Sequence, residues 1–357
     1  MTLHIFNPEH DIALASGLSN FTAPHAARQL RHDLGWLPAV WCSDGDCVLV
    51  DDVDYSQSAW QRFRTNARLR GQCRVTFVNR HQLRSLPLTA VDPWGWNSAL
   101  KALLLRAGVA DFILPSDNWL ELARQQSSRR LAAQMLPLLR VPGTVGQSFV
   151  CTSESQTEQF LQHYGHIVLK APWSSSGRGL RFLDVGRQPL ATHQRWLANI
   201  ISQQGAVMVE PFYHKVKDFG MEFIAHPEGT VQVLGLSLFD TKNGAYTGNI
   251  VATEAAKRAI IARYLPLTLI DQTAQLIATH ARHLLRSYTG PFGVDMMVVA
   301  APGGFTLHPC VEINLRRTMG HVAIGLMPWL NASADDDIQY VMRLEQNSCY
   351  QLKIRKS

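Results

Sequence analysis

With 357 residues, 46% of them hydrophobic and 17% charged, the chain has room for two or three domains and a sizeable core. No apolar run approaches the ~20 residues that a membrane helix needs. The opening MTLHIFNPEHD lacks the basic-then-apolar layout of a secretory signal, so neither a membrane partner nor export is expected. The net charge of +6 is carried mostly by arginines spread along the chain, with Arg129-Arg130 and Arg316-Arg317 as the densest clusters. Pairs rather than tracts suit small anionic ligands and argue against nucleic acid.

Residues 1–115 alternate short apolar runs (LHIF, AVWC, CVLV, RVTFV) with helical stretches around Ala26, Gln61 and Leu103, the last closing at Gly108. This predicts an N-terminal α/β domain with a partly parallel sheet, and the absence of a GxGxxG turn removes a dinucleotide fingerprint. Helical stretches over 117–139, closed by VPGTVG, lead to strands SFVC, HIVLKAP and LRFLD and a helix near 191–203. AVMVEPF, DFGMEFIAH and TVQVLGLSLFD then alternate as strands of an antiparallel sheet. Ile270, Ala274, Ile277, Ala281 and Leu284 recur at helical spacing and make 267–288 an amphipathic helix. GPFGVDMMVV and HPCVEINLRR read as two further strands, and 318–346 reads as helical. Cys42, Cys47, Cys73, Cys151, Cys310 and Cys349 lack zinc-ribbon spacing and fit reduced thiols of the cytoplasm.

Three stretches carry chemistry. Glu312 and Asn314 are two apart on a strand, so both leave the same face; with Asp295 alongside they form an oxygen cage suited to Mg²⁺ beside a phosphate. In KAPWSSSGRGL, Lys170 and a loop of Ser174, Ser175, Ser176, Gly177 and Gly179 bring charge and close backbone N–H groups to phosphate oxygens, although a flexible hairpin has the same composition. In VMVEPFY, Glu210 and the backbone around Phe212 suit a purine edge, and Asp218 suits ribose hydroxyls; each alone is also an ordinary turn residue. His308, Cys310 and Glu312 alternate on one face, but no second His/Cys group accompanies them; a packed Cys310 and a surface His308 are expected. Asn7, Glu9, His10 and Asp11 cluster after the first strand, where α/β folds place ligands; acceptor binding and a polar helix-capping turn are level alternatives.

The order of these pieces resembles the ATP-grasp superfamily over residues 117–330, with GVDMMV and VEINLR as the most specific parts. The resemblance implies two α+β lobes holding ATP between them, preceded by an N-terminal α/β domain: 1–115, then a small lobe over 116–205, then a large lobe with the metal site over 206–357. It implies Lys170 at the α/β-phosphates and the Ser174–Gly179 loop closing over the nucleotide. Glu210 and Phe212 would hold adenine and Asp218 the ribose, while Asp295, Glu312 and Asn314 ligate Mg²⁺, with Mn²⁺ as the substitute ion. Arg316 would face the γ-phosphate or the acylated intermediate. Two positions depart from the pattern. Arg129, or its neighbour Arg130, stands where many members have a phosphate-binding lysine. Gly293 stands where D-alanine–D-alanine-type ligases carry an arginine, so Arg316 or Arg317 would supply that charge.

The implied reaction is ATP-dependent ligation of a small-molecule or peptide carboxylate to an amine through an acyl phosphate, with Lys170 and Arg316 as its catalytic charges. A phosphotransferase that stops at phosphoryl transfer and a non-catalytic nucleotide-binding regulator are the alternatives. A homodimer is the commonest assembly for such a chain.

Overall fold

The computed structural model describes residues 1–70, 74–174, 179–242, 245–330 and 339–356. The N-terminal unit contains β1 (Thr2–Ile5), α1 (His10–Ser16), α2 (His25–Leu34), β2 (Cys47–Leu49), α3 (Val53–Ala67), β3 (Thr76–Val78), β4 (Ala90–Pro93) and α4 (Ser98–Arg106). Its four strands form a parallel sheet in the order β3-β2-β1-β4. Two of its helices, α3 and α4, start where short polar side chains satisfy the first free amides: Asp52 accepts from the Tyr55 N–H and Asn97 from the Leu100 N–H, each at 2.9 Å.

Two helices, α5 (Asp117–Gln126) and α6 (Arg130–Met135), lead into β5 (Phe149–Cys151), α7 (Glu154–Tyr164), β6 (His166–Lys170), β7 (Leu180–Asp184), α8 (Gln194–Gln204) and β8 (Val207–Pro211). These strands form an antiparallel sheet in the order β5-β8-β6-β7. β8 hydrogen-bonds to β5 and β6, so the chain leaves this sheet after Pro211.

The second antiparallel unit holds β9 (Lys215–Ala225), β10 (Val231–Ser237), β11 (Phe239–Lys242), β12 (Ala245–Val251), α9 (Glu254–Ile261), α10 (Leu267–Leu284), β13 (Gly290–Ala301) and β14 (Gly304–Asn314). Its main sheet runs β10-β9-β13-β14. The α10 stripe of Ile270, Ala274, Ile277 and Ala281 packs on it with Phe219, Phe223, Phe292 and Val294. After α11 (Met319–Leu326), β15 (Tyr340–Gln346) and β16 (Tyr350–Lys356) complete a further sheet, β11-β12-β15-β16.

This corrects the helix expected over 318–346. The apolar run HVAIGLMPWL carries the helix only to Leu326 and a short 3₁₀ turn over 327–329, where Pro328 brings no N–H. YVMRLEQ then alternates at period two and pairs with both neighbours as a strand.

One core crosses the chain from end to end: Trp36, Trp60 and Phe63 of the N-terminal unit pack with Val322 and Leu326 of α11 and with Met342 and Leu352 of the last two strands. The Asp33 carboxylate accepts from the Tyr350 N–H at 2.7 Å across the same seam. Among the described residues, no helix is long and apolar enough to cross a membrane.

Candidate active site

The cleft-side face of the β9-β13-β14 sheet is built rung by rung. Asp295 lies opposite Glu312 on β14 and Gly220 on β9; the next rung places Gly293 between Asn314 and Glu222. Directly opposed residues share a face, so the three side chains expected at a metal converge, and the Asn314 amide donates to Asp295 Oδ2 at 3.2 Å. Burial, with the Glu312 and Glu222 charges beside it, pushes the Asp295 carboxyl up to about 8. A carboxyl held off ionisation by burial and like charge is a place where a cation is favourable, and the all-oxygen donor set suits Mg²⁺. The third donor is an amide; among the described residues no group of three His, Cys, Asp or Glu side chains forms such a cluster.

Arg129 reaches this rung from the N-terminus of α6. Its Nη2 lies 2.8 Å from Glu312 Oε1, while Nη1 donates to the Ala171 carbonyl and to Ser174 Oγ at 2.7 Å each. One guanidinium therefore joins β14 to the start of the Ser/Gly loop. Gly179 is tight against Ser174, so a side chain there would collide with it. Ser175, Ser176 and Gly177 lie outside the described residues.

On the facing sheet, Val168 lies opposite both Phe182 and Glu210. Lys170, two residues along, forms an ion pair with Glu210 at 2.6 Å, and both are buried. Phe182 is 48% exposed and meets Phe212 edge-on, while Phe212 stacks on His166 with centroids 3.9 Å apart. This is an apolar platform beside a lysine. The Phe212 N–H donates to the His166 carbonyl at 3.0 Å. Asp218 occupies the rung of Met297 and His308, next to the Asp295 rung, and is held by Lys215 Nζ at 2.6 Å and the Thr241 hydroxyl at 3.0 Å.

His308 is not at the surface as expected. A bulge sets the three residues 309–311 against Met296 alone, and His308 turns into the junction between the sheets. It is wholly buried, lies edge-on to Tyr213 with centroids 5.3 Å apart, and neither ring nitrogen has a hydrogen-bond partner. Burial and the Lys170 charge pull its pKa down to about 3, so the ring is neutral. Cys310 is buried beside it.

The two arginines that end the motif diverge. Arg317 donates to Asp92 at 2.6 Å and lies over the Trp41 ring. Arg316 forks onto Asp11, with Nε to Oδ1 at 2.8 Å and Nη2 to Oδ2 at 2.7 Å, and also donates to Asn314 Oδ1 at 3.0 Å. Of the two, Arg316 is the one that contacts Asn314. Gly293 is glycine for a local reason: a Cβ there would sit 2.6 Å from Glu222 Oε2 and 2.7 Å from Thr318 Cγ2.

The NPEHD segment is the part whose role sequence reasoning left open. Asn7 exchanges hydrogen bonds with the Gly95 backbone, Glu9 pairs with Arg31 at 2.6 Å, and His10 meets the Asn97 amide at 3.2 Å. Burial lowers His10 to about 4 and keeps it neutral. His10 and Asp11 line one small cavity together with Trp173, Ser174, Glu312 and Asn314. Glu222 was also missed: on a strand it reads as one polar residue among apolar ones, yet it lies opposite Gly293, on the rung next to Asp295, and 2.9 Å from His321 Nδ1.

By sequence, no family model and no curated protein matches the chain. Solved structures do. Biotin carboxylase from Campylobacter jejuni, in a β-γ-ATP complex, aligns with a TM-score of 0.54 at 13% identity, covering 96% of this chain and 75% of that one. The biotin carboxylase domain of 2-oxoglutarate carboxylase from Hydrogenobacter thermophilus, with MgADP, ADP and bicarbonate, gives 0.50 at 11% identity over 96% and 74%. The ADP complex of N5-carboxyaminoimidazole synthetase from Staphylococcus aureus gives 0.49 at 12% identity over 96% and 82%. The chain has the ATP-grasp fold.

Two outcomes follow from the site's electrostatics. An aspartate ionises near 4 when unfolded, whereas folded Asp295 holds its proton to about 8. The fold therefore binds the extra proton between those values, and without divalent ions its stability falls as pH rises from 4 to 8. Asp295→Asn should flatten that slope and raise Tm at pH 8 by about 2–5 °C in chelator, read by thermal unfolding at stepped pH. Glu210→Gln strands a buried lysine and should cost about 3–5 kcal/mol, read as a lower denaturant midpoint at unchanged slope.

Proposed function

We propose that this chain is an ATP- and Mg²⁺-dependent ligase that joins a carboxylate to an amine through an acyl phosphate. The observation that carries the reading is the convergence of Asp295, Glu312 and Asn314 on one face, with Arg129 and Arg316 contacting that same rung. The fold supports it, since the Campylobacter jejuni and Hydrogenobacter thermophilus proteins were solved with β-γ-ATP and with MgADP and bicarbonate. Cys47, Cys151, Cys310 and Cys349 carry free thiols, which suits the cytoplasmic location we assign.

In this reading the purine lies on the Val168–Phe182–Phe212 platform, with Glu210 and the Phe212 carbonyl at its edge and Asp218 at the ribose. Lys170 leaves Glu210 to neutralise the α/β-phosphates, and Arg129 with Ser174 lies beside them. Asp295, Glu312 and Asn314 would hold Mg²⁺ (or Mn²⁺), which when bound supplies charge neutralisation to the phosphates. Arg316 stabilises the charge that develops on the carboxylate as it is phosphorylated and again as the amine attacks. No side-chain nucleophile is needed, so catalysis is positioning plus preorganised charge. The acceptor enters through the cavity walled by α1 and the Trp173–Ser174 turn. The substrates are a small-molecule or peptide carboxylate and an amine.

Calorimetric titration with a non-hydrolysable ATP analogue tests the site: binding should require Mg²⁺ and vanish in Glu312→Gln, and metal-independent binding would remove the metal assignment. ADP release that needs an added amine separates a ligase from a phosphotransferase, and no ATP consumption with any substrate pair would leave a nucleotide-binding regulator. Arg316→Ala should lower kcat by about 10²–10³ while nucleotide affinity holds; a defect in nucleotide binding alone would move Arg316 out of the chemistry.

A further inference from the structure

We infer that Asp11 is a positioning residue for Arg316, so that the N-terminal unit supplies part of the catalytic machinery; this rests on the ligase reading. A guanidinium carries five N–H donors. Arg316 uses Nε and Nη2 on the two Asp11 oxygens, a second Nη2 hydrogen on Asn314 Oδ1, and one Nη1 hydrogen on the Arg317 carbonyl at 3.0 Å. Among the described contacts a single Nη1 hydrogen is left. A forked carboxylate fixes the plane of the guanidinium as well as its place, so Asp11 decides which donor remains for a substrate oxygen.

The local build favours positioning over a surface tie. The two side chains are 15% and 27% exposed, far from the solvated pairs whose net worth is small. Asp11 stands in the first turn of α1, and that turn is anchored on both sides by groups with no other evident task. Asn7 clamps Gly95, and His10 is held by Asn97 while packing so closely on Gly95 that a Cβ there would fall 2.7 Å from the ring. Arg317, one residue further on, donates its backbone N–H to the Trp94 carbonyl and its side chain to Asp92. The backbone that carries Arg316 and the turn that carries Asp11 are thus fixed to the same β4 end. This accounts for the polar NPEHD segment without requiring any of it to touch ATP.

The experiment uses the full chain and two probes, MgADP alone and MgADP with aluminium fluoride, which stands in for the phosphoryl group in flight. In the parent, fluoroaluminate should tighten ADP binding by about a hundredfold or more. Asp11→Asn should bind MgADP within about twofold of the parent yet lose at least about tenfold of the fluoroaluminate effect. Asp11→Glu, which keeps a carboxylate, should recover part of it, and adding Asp11→Asn to Arg316→Ala should cost nothing further. The inference is overturned if Asp11→Asn keeps the full effect. It is equally overturned if MgADP affinity and Tm fall together with it, or if the parent shows no fluoroaluminate effect. A parent that binds no MgADP strikes the nucleotide reading itself, a result distinct from the others.

Discussion

Two carboxylates facing each other across neighbouring strands cannot both stay ionised in a crowded cleft without positive charge, and the surroundings of Asp295 and Glu312 follow from that constraint. Arg129 serves Glu312 from one side, and Asn314 offers an amide proton to Asp295 from the next rung. Arg316 stands behind Asn314, itself balanced by Asp11. Each cation is held by a carboxylate and each carboxylate by a cation or amide, so the network has one unmet demand, at Asp295, where an ion would be most welcome. Lys170 and Glu210 repeat the arrangement on the opposite sheet as a buried ion pair.

Much of this was legible in the residues because it is local. A two-residue spacing on a strand places Glu312 and Asn314 on one face, and helical periodicity places the α10 stripe on the sheet. What stayed out of reach is long-range. Nothing in NPEHD says that Asp11 will meet an arginine near the far end of the chain, and nothing around His308 says that the Tyr213 ring, from another segment, will pack against it. The helix expected over 318–346 failed for a related reason: apolar density in HVAIGLMPWL outweighed the period-two pattern of YVMRLEQ, one of whose two partner strands lies far upstream. Glycine 293 shows a third kind of limit. Its absence of a side chain is explained by Glu222, a residue from another strand, and not by its own neighbours.

The core that runs from Trp36 and Phe63 through α11 to Met342 and Leu352 has a consequence in time rather than in space. A chain leaving the ribosome delivers the first of these side chains some three hundred residues before the last. The aromatic surface of the N-terminal unit cannot be sealed until the C-terminal hairpin is made. Such late closure is slow for entropic reasons and leaves apolar surface open meanwhile. Truncating the chain before β15 would therefore be felt first not at the C-terminus but in the opening domain, whose exposed tryptophans would make nascent or clipped chains clients for chaperones.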